Sequence, residues 1–234
     1  FDPENGYRKP AASLHPRGDR SATCRSLIQP LFGVLHVTTP LVLGFDTSAA
    51  HCAAALLRGE DIIASCAEEM SRGQAERLMV LIEELLSSQG VTWQDISAIG
   101  VGVGPGNFTG IRISVAAARG LALALDIPAV GVSTFEATSY GQTSPHIATV
   151  PAPREQVYAL DTTPDAVPPL TPRLTGANLD TNLPILLPPP PAQLAENIGR
   201  IAALRRHLPQ ASPAPLYIRA ADAAPARDLP PLIL

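Results

Sequence analysis

The chain has 234 residues, 46% hydrophobic and only 4% aromatic, which allows one domain or two small ones with a core of Ala, Leu, Val and Ile. Of 17 basic and 21 acidic groups, five and three fall in residues 1–36, leaving 12 and 18 and a net charge of about minus six for the remainder. A body that acidic is a poor stand-alone binder of nucleic acid, and Lys9, the only lysine, leaves it without a P-loop, Schiff-base or general-base lysine.

Residues 1–36 carry Pro, Arg and Ser without sustained periodicity, and Asp2, Glu4 and Asp19 argue against a transit peptide. They are expected to be a disordered extension or sequence translated from upstream of the true start, with Val37 a candidate start. No apolar run reaches the ~20 residues of a membrane span, so no membrane association is expected. Cys24, Cys52 and Cys66 show no CxxC spacing, and their odd number fits a reduced compartment, giving a cytoplasmic expectation.

From Pro40 the pattern sharpens. Leu41–Asp46, Cys52–Leu57 and Ile62–Ala67 read as short strands, with a turn at Arg58-Gly-Glu-Asp61 between the last two. Ser71-x-x-Gln74 has capping-box spacing and predicts a helix carrying Ala75, Leu78, Met79, Ile82, Leu85 and Leu86 at helical intervals, closed by Gly90. A strand over 97–103 runs into Gly102-x-Gly104-Pro105-Gly106, and Thr109 is placed to cap a helix from Gly110 to about Leu125. Pro128 precedes a strand at 129–132 and a further helix from Ser133. The order βββαβαβα builds a mixed sheet with helices on its faces.

Past residue 140 the composition shifts, with 18 of the 25 prolines between Pro145 and Pro231. Proline removes ladder donors and breaks helices, so less regular structure is expected there, with one helix over about 192–207. The domain plan is therefore a first lobe at 37–137 and a second, proline-rich lobe at 138–234.

Two motifs invite a phosphate. Asp46-Thr47-Ser48 ends a buried strand on an acid and two hydroxyls, which suits a magnesium-bound phosphate or a carboxylate capping its own turn. Gly104, Gly106 and Thr109 open a helix where exposed amides attract anions, although tight strand-to-helix packing asks for the same glycines. Asp46, Thr47, Ser48, Gly104, Gly106 and Thr109 are the candidate residues of a degenerate phosphate site. The five histidines are scattered, no metal-ligand spacing or GxSxG elbow is present, and no catalytic constellation stands out. No metal and no cofactor is expected. Leu78, Met79, Leu81, Ile82, Leu85 and Leu86 form a stripe wider than one sheet contact needs, although core packing is the ordinary use of any one such stripe; with Ala75 and with Ile111, Val115, Ala118 and Ala122 on the small-residue helix they form the candidate partner interface.

Leu43-Gly-Phe-Asp-Thr-Ser48, Gly104-Pro-Gly-Asn-Phe-Thr-Gly-Ile-Arg-Ile113, Gly120-Leu-Ala-Leu-Ala124, Gly131-Val-Ser-Thr134 and Pro215-Leu-Tyr-Ile-Arg219 resemble the TsaB family of tRNA threonylcarbamoyladenosine biosynthesis proteins. The resemblance is dense over 41–137 and patchy over 138–211. It implies a two-lobed actin-like (ASKHA, RNase H-like) fold with a shortened, degenerate second lobe. It further implies a non-catalytic subunit supporting the catalytic TsaD, with the ATPase TsaE, in moving threonylcarbamoyl from its adenylate to the adenosine beside the tRNA anticodon. Contact with TsaD through the first lobe's helices, tRNA reached only through the complex, and a homodimer of the isolated chain are the matching partner expectations. The segment Pro151-Ala-Pro-Arg-Glu-Gln-Val-Tyr158 departs from the family's Asp-Ala-Arg element. A stand-alone actin-like ATPase or phosphotransferase using Asp46 and Thr47 is the alternative.

Overall fold

The computed structural model describes residues 39–162 and 171–218; the expectations for 1–36 lie outside them. Among the described residues nine strands and four helices follow in order: β1 Leu41–Asp46, β2 His51–Arg58, β3 Asp61–Glu69, α1 Gln74–Ser88, β4 Ile96–Gly102, α2 Phe108–Leu125, β5 Ala129–Val132, α3 Thr134–Thr138, β6 His146–Ala152, β7 Gln156–Thr162, β8 Arg173–Gly176, β9 Ile185–Leu186 and α4 Pro191–Arg205, with a 3-10 turn at Trp93–Asp95. Through α3 this is the order that the sequence predicts.

The strands form two sheets, β3-β2-β1-β4-β5 and β8-β7-β6-β9. In the first, β1 pairs antiparallel with β2 and parallel with β4, whose other neighbour β5 is also parallel. β1 is buried along its whole length because both its faces are covered. Leu41, Leu43 and Phe45 face the side packed by α1 and α2, while Val42 joins Ala53, Ala55, Leu57 and Ala98 beneath α4. That alternation is the period-two geometry of a strand between two layers.

Sequence and structure part company at four places. The cap of α1 is Gly73 in the left-handed region (φ 87°) rather than Ser71, and Gln74 enters the helix buried, its amide donating to the Met70 carbonyl. The cap of α2 is Asn107, whose Oδ1 accepts from the Gly110 amide at 2.9 Å; Thr109 already lies inside the helix. The proline-rich half holds a four-stranded sheet, because its prolines sit where no ladder donor is lost: Pro151 near the end of β6, Pro184 and Pro188 outside the strands, Pro191 at the first turn of α4. Moreover α4, past the boundary drawn at residue 137, packs on β1, β2 and β4 of the first sheet.

α4 reaches that sheet because glycines remove the side chains between them. A Cβ at Gly44 would fall 2.7 Å from the Gly199 amide nitrogen and closer still to the Ala195 carbonyl, and one at Gly100 would fall 2.8 Å from the Ile198 carbonyl. These are backbone atoms on two rigid elements, which do not yield. Gly44→Ala is therefore expected to cost about 3 kcal/mol of stability. Gly120→Ala, on the open side of α2 with nothing within 4 Å, should gain roughly 0.5–1 kcal/mol from helix propensity. Denaturant midpoints of the two variants against the parent check both signs.

Candidate functional site

The parallel strands β1 and β4 end side by side at Asp46 and Gly102, the place where open α/β sheets present their ligands. Asp46, Thr47 and Ser48 are all buried. The Asp46 Oδ2 accepts three times: from the Ser48 amide at 2.9 Å, from the Ser48 hydroxyl at 2.9 Å, and from His51 Nε2 at 2.8 Å. Because an ionised carboxylate only accepts, Nε2 carries the hydrogen. Asp46 Oδ1 has no hydrogen-bond partner and lies against Gly102, where a Cβ would collide with it. Thr47 donates its hydroxyl to the Gly110 carbonyl at 2.7 Å.

The glycines of 104–110 choose the packing reading over the anion reading. A Cβ at Gly106 would strike the Ser48 carbonyl, and one at Gly110 the Thr47 carbonyl. Gly104 adopts φ 89°, a conformation that favours glycine. The loop is thus laid directly against the 46–48 turn, and Asn107 N–H donates to the Ser48 carbonyl at 2.6 Å. Of the amides around the start of α2, that of Asn107 is engaged by the Ser48 carbonyl and that of Gly110 by the Asn107 side chain. Thr109 is exposed and lines a separate recess beside Arg72 and Gln74. The structure therefore gathers Asp46, Thr47, Ser48, Gly104 and Gly106 as a tight turn-to-loop contact and leaves Thr109 outside it.

In front of this contact, between it and the second sheet, opens a cleft of roughly 560 Å³. Ser48, His51 and Thr134 line it with Tyr158 and a set of prolines, and no Lys or Arg is among its lining residues. Sequence reasoning missed His51: it stands alone in the sequence, and only the β1–β2 register (Asp46 opposite Ala53) shows that residues 46 and 51 share one face.

The candidate interface divides. Leu78, Ile82, Leu85, Leu86, Ile111, Val115 and Ala118 are buried in the chain's own core, so the width of the stripe on α1 is explained by its packing on β1, β2 and β3. Because these side chains fill the core between α1, α2 and the sheet, their assignment to a partner surface is corrected. Ala75 and Met79 are exposed and Ala122 half-buried, and the structure adds Val80 (45% exposed) and Leu123 (86%) on the solvent sides of α1 and α2. α2 is long and apolar enough to cross a membrane by length and composition, yet one face packs on β4 and the other bears Arg112 and Arg119.

The family model that matches is TsaD: tRNA N6-adenosine threonylcarbamoyltransferase, over residues 64–170. The Escherichia coli (strain K12) tRNA threonylcarbamoyladenosine biosynthesis protein TsaB is 35% identical over 100 residues, 43% of each chain. The Bacillus subtilis (strain 168) TsaB is 39% identical over 95 residues, 41% of this chain and 42% of its own. The chain is thus similar to TsaB proteins and to the TsaD family model. The aligned stretch spans less than half the length of these curated relatives. The solved structure of a Pseudomonas aeruginosa protein described as similar to peptidase YeaZ superposes with a TM-score of 0.61 at 24% identity, covering 77% of this chain and all of that one. The chain shares the fold of that structure, in keeping with the actin-like fold that the sequence resemblance implies.

Behind the cleft, α3 holds Thr134 in place through a capping box. Burial alone would raise the Glu136 carboxyl, but donation from the Ser133 amide and hydroxyl and from Arg205 outweighs it and holds Glu136 below its ordinary value of 4.5. A depressed folded value contributes stability that is present above the unfolded value and lost as pH falls through the folded one. The stability gap between the parent and Glu136→Gln should accordingly be widest at neutral pH and close below about pH 4. Denaturation midpoints across pH 3–7 read it directly.

Proposed function

We propose that this chain is a non-catalytic subunit of the cytoplasmic machinery that builds threonylcarbamoyladenosine on tRNA. It docks on a TsaD-type catalytic subunit, works alongside a TsaE-type ATPase, and leaves the tRNA to the assembly. The observation that carries this reading is the internal use of the phosphate motifs. Asp46 and Thr47, the residues an actin-like phosphotransferase would turn toward its nucleotide, are bonded to Ser48, His51 and the Gly110 carbonyl.

The surface supports the same reading. α1 and α2 pack side by side, and their solvent sides expose Ala75, Met79, Val80 and Leu123. α1 adds Glu76 and Glu83 on that side, whereas α2 holds Arg112 and Arg119 and no acid. Two such helix pairs, antiparallel, would bring acid against base around an apolar centre, which favours a helical bundle with a paralogous subunit and, in its absence, with a second copy. An acidic body gives tRNA little to hold, so RNA contact falls to the partner.

Met79→Glu should weaken association with a TsaD-type subunit at least ~30-fold, about 2 kcal/mol, and Val80→Glu should weaken it in the same direction. Both should leave the isolated chain's stability within roughly 0.5 kcal/mol, since the positions are exposed. Titration calorimetry beside thermal unfolding makes the check. Unchanged binding by both variants overturns the docking face, and ATP turnover by the isolated chain that disappears in Asp46→Ala overturns the non-catalytic reading.

A further inference from the structure

The cleft beneath the Asp46–His51 pair has a chemistry of its own, independent of the helical face and of any partner. Its roughly 560 Å³ falls within the size range of small-molecule sites. Its walls are flat rings: the half-buried Tyr158 faces a cleft also bounded by Pro151, Pro153, Pro188 and Pro189. Flat apolar walls of this kind bury an aromatic ring, which gains both area and ring-face contact.

The floor is selective because its hydrogens are already committed. The Ser48 hydroxyl donates to Asp46. The Thr134 hydroxyl donates to the Pro105 carbonyl at 3.1 Å. His51 gives its Nε2 hydrogen to Asp46, and its Nδ1 has no hydrogen-bond partner among the described residues, so the neutral ring presents a lone pair there. Three groups that ordinarily donate thus offer lone pairs. Asn107, at the rim, keeps a free amide, but its place is exposed. A floor of acceptors with a carboxylate directly behind it and no guanidinium or ammonium in the lining repels anions and asks the ligand to donate.

We propose that this cleft binds a small, uncharged, planar aromatic molecule that brings its own N–H or O–H donor to His51 Nδ1. His51 is then the specificity-determining acceptor, Asp46 the positioning residue that sets its tautomer, and Tyr158 the stacking wall.

The test titrates the full chain by calorimetry with indole, 1-methylindole, benzoate and ATP. Indole should bind, 1-methylindole about fivefold more weakly for want of one hydrogen bond, and benzoate and ATP at least ~10-fold more weakly than indole. Tyr158→Ala should reduce indole affinity, and His51→Phe should erase the difference between indole and its methylated form. The indole pair on the unaltered chain reads the donor requirement even if His51→Phe folds poorly. Equal affinity for indole and 1-methylindole, binding of benzoate or ATP as tight as that of indole, indole binding untouched by Tyr158→Ala, or no binding of indole overturns the assignment.

Discussion

Two stretches of backbone meet without a side chain between them, and much else in the first sheet and its cleft is arranged around that meeting. The turn after β1 (46–48) lies against the loop and first turn of α2 (104–110), with glycines wherever a Cβ would strike a carbonyl. Ser48 accepts from Asn107, Thr47 donates to Gly110, and Asp46 folds its carboxylate back onto Ser48 and across to His51. Each bond satisfies a polar group that would otherwise be buried and unpaired. The close approach ties the ends of β1 and β4 to the start of α2, and so fixes where α2 sits beside α1.

This contact has a functional consequence. Here the Asp46 Oδ2 and the Thr47 hydroxyl are bonded within the chain, and no Lys or Arg is among the described residues that line the cleft in front of them. What the first lobe presents instead is the outer side of its helix pair. The inner side of α1 covers the hydrophobic core with Leu78, Ile82 and Leu85, and in the proposed complex Met79 and Val80 on its outer side would serve recognition. Charges of opposite sign on α1 and α2 add orientation to an apolar contact.

Most of the first lobe was legible in the sequence, since the short apolar run at 41–45, helical spacing in 74–86 and Gly90 in the left-handed region (φ 62°) each follow from local geometry. The caps were not, because Ser71 and Thr109 are good capping residues placed where tertiary contacts begin the helices elsewhere: Gln74 is drawn into the interior and Asn107 is pinned to Ser48. Width alone also misled on α1, whose Leu81, Leu85 and Leu86 are buried in the chain's own core. The second half was the least legible. Proline count suppresses any strand prediction, whereas the sheet tolerates proline at strand ends and outside strands. His51 carries no motif at all, and its role follows only from strand register.

The most direct measurement of the account is hydrogen exchange of this chain alone and mixed with a TsaD-type subunit. The account predicts a stable complex with slowed exchange confined to α1 and α2, and unchanged exchange around Ser48 and the cleft. A complex that protects the cleft while leaving α1 and α2 as exposed as in the free chain would contradict it, as would the absence of any complex with the folded protein.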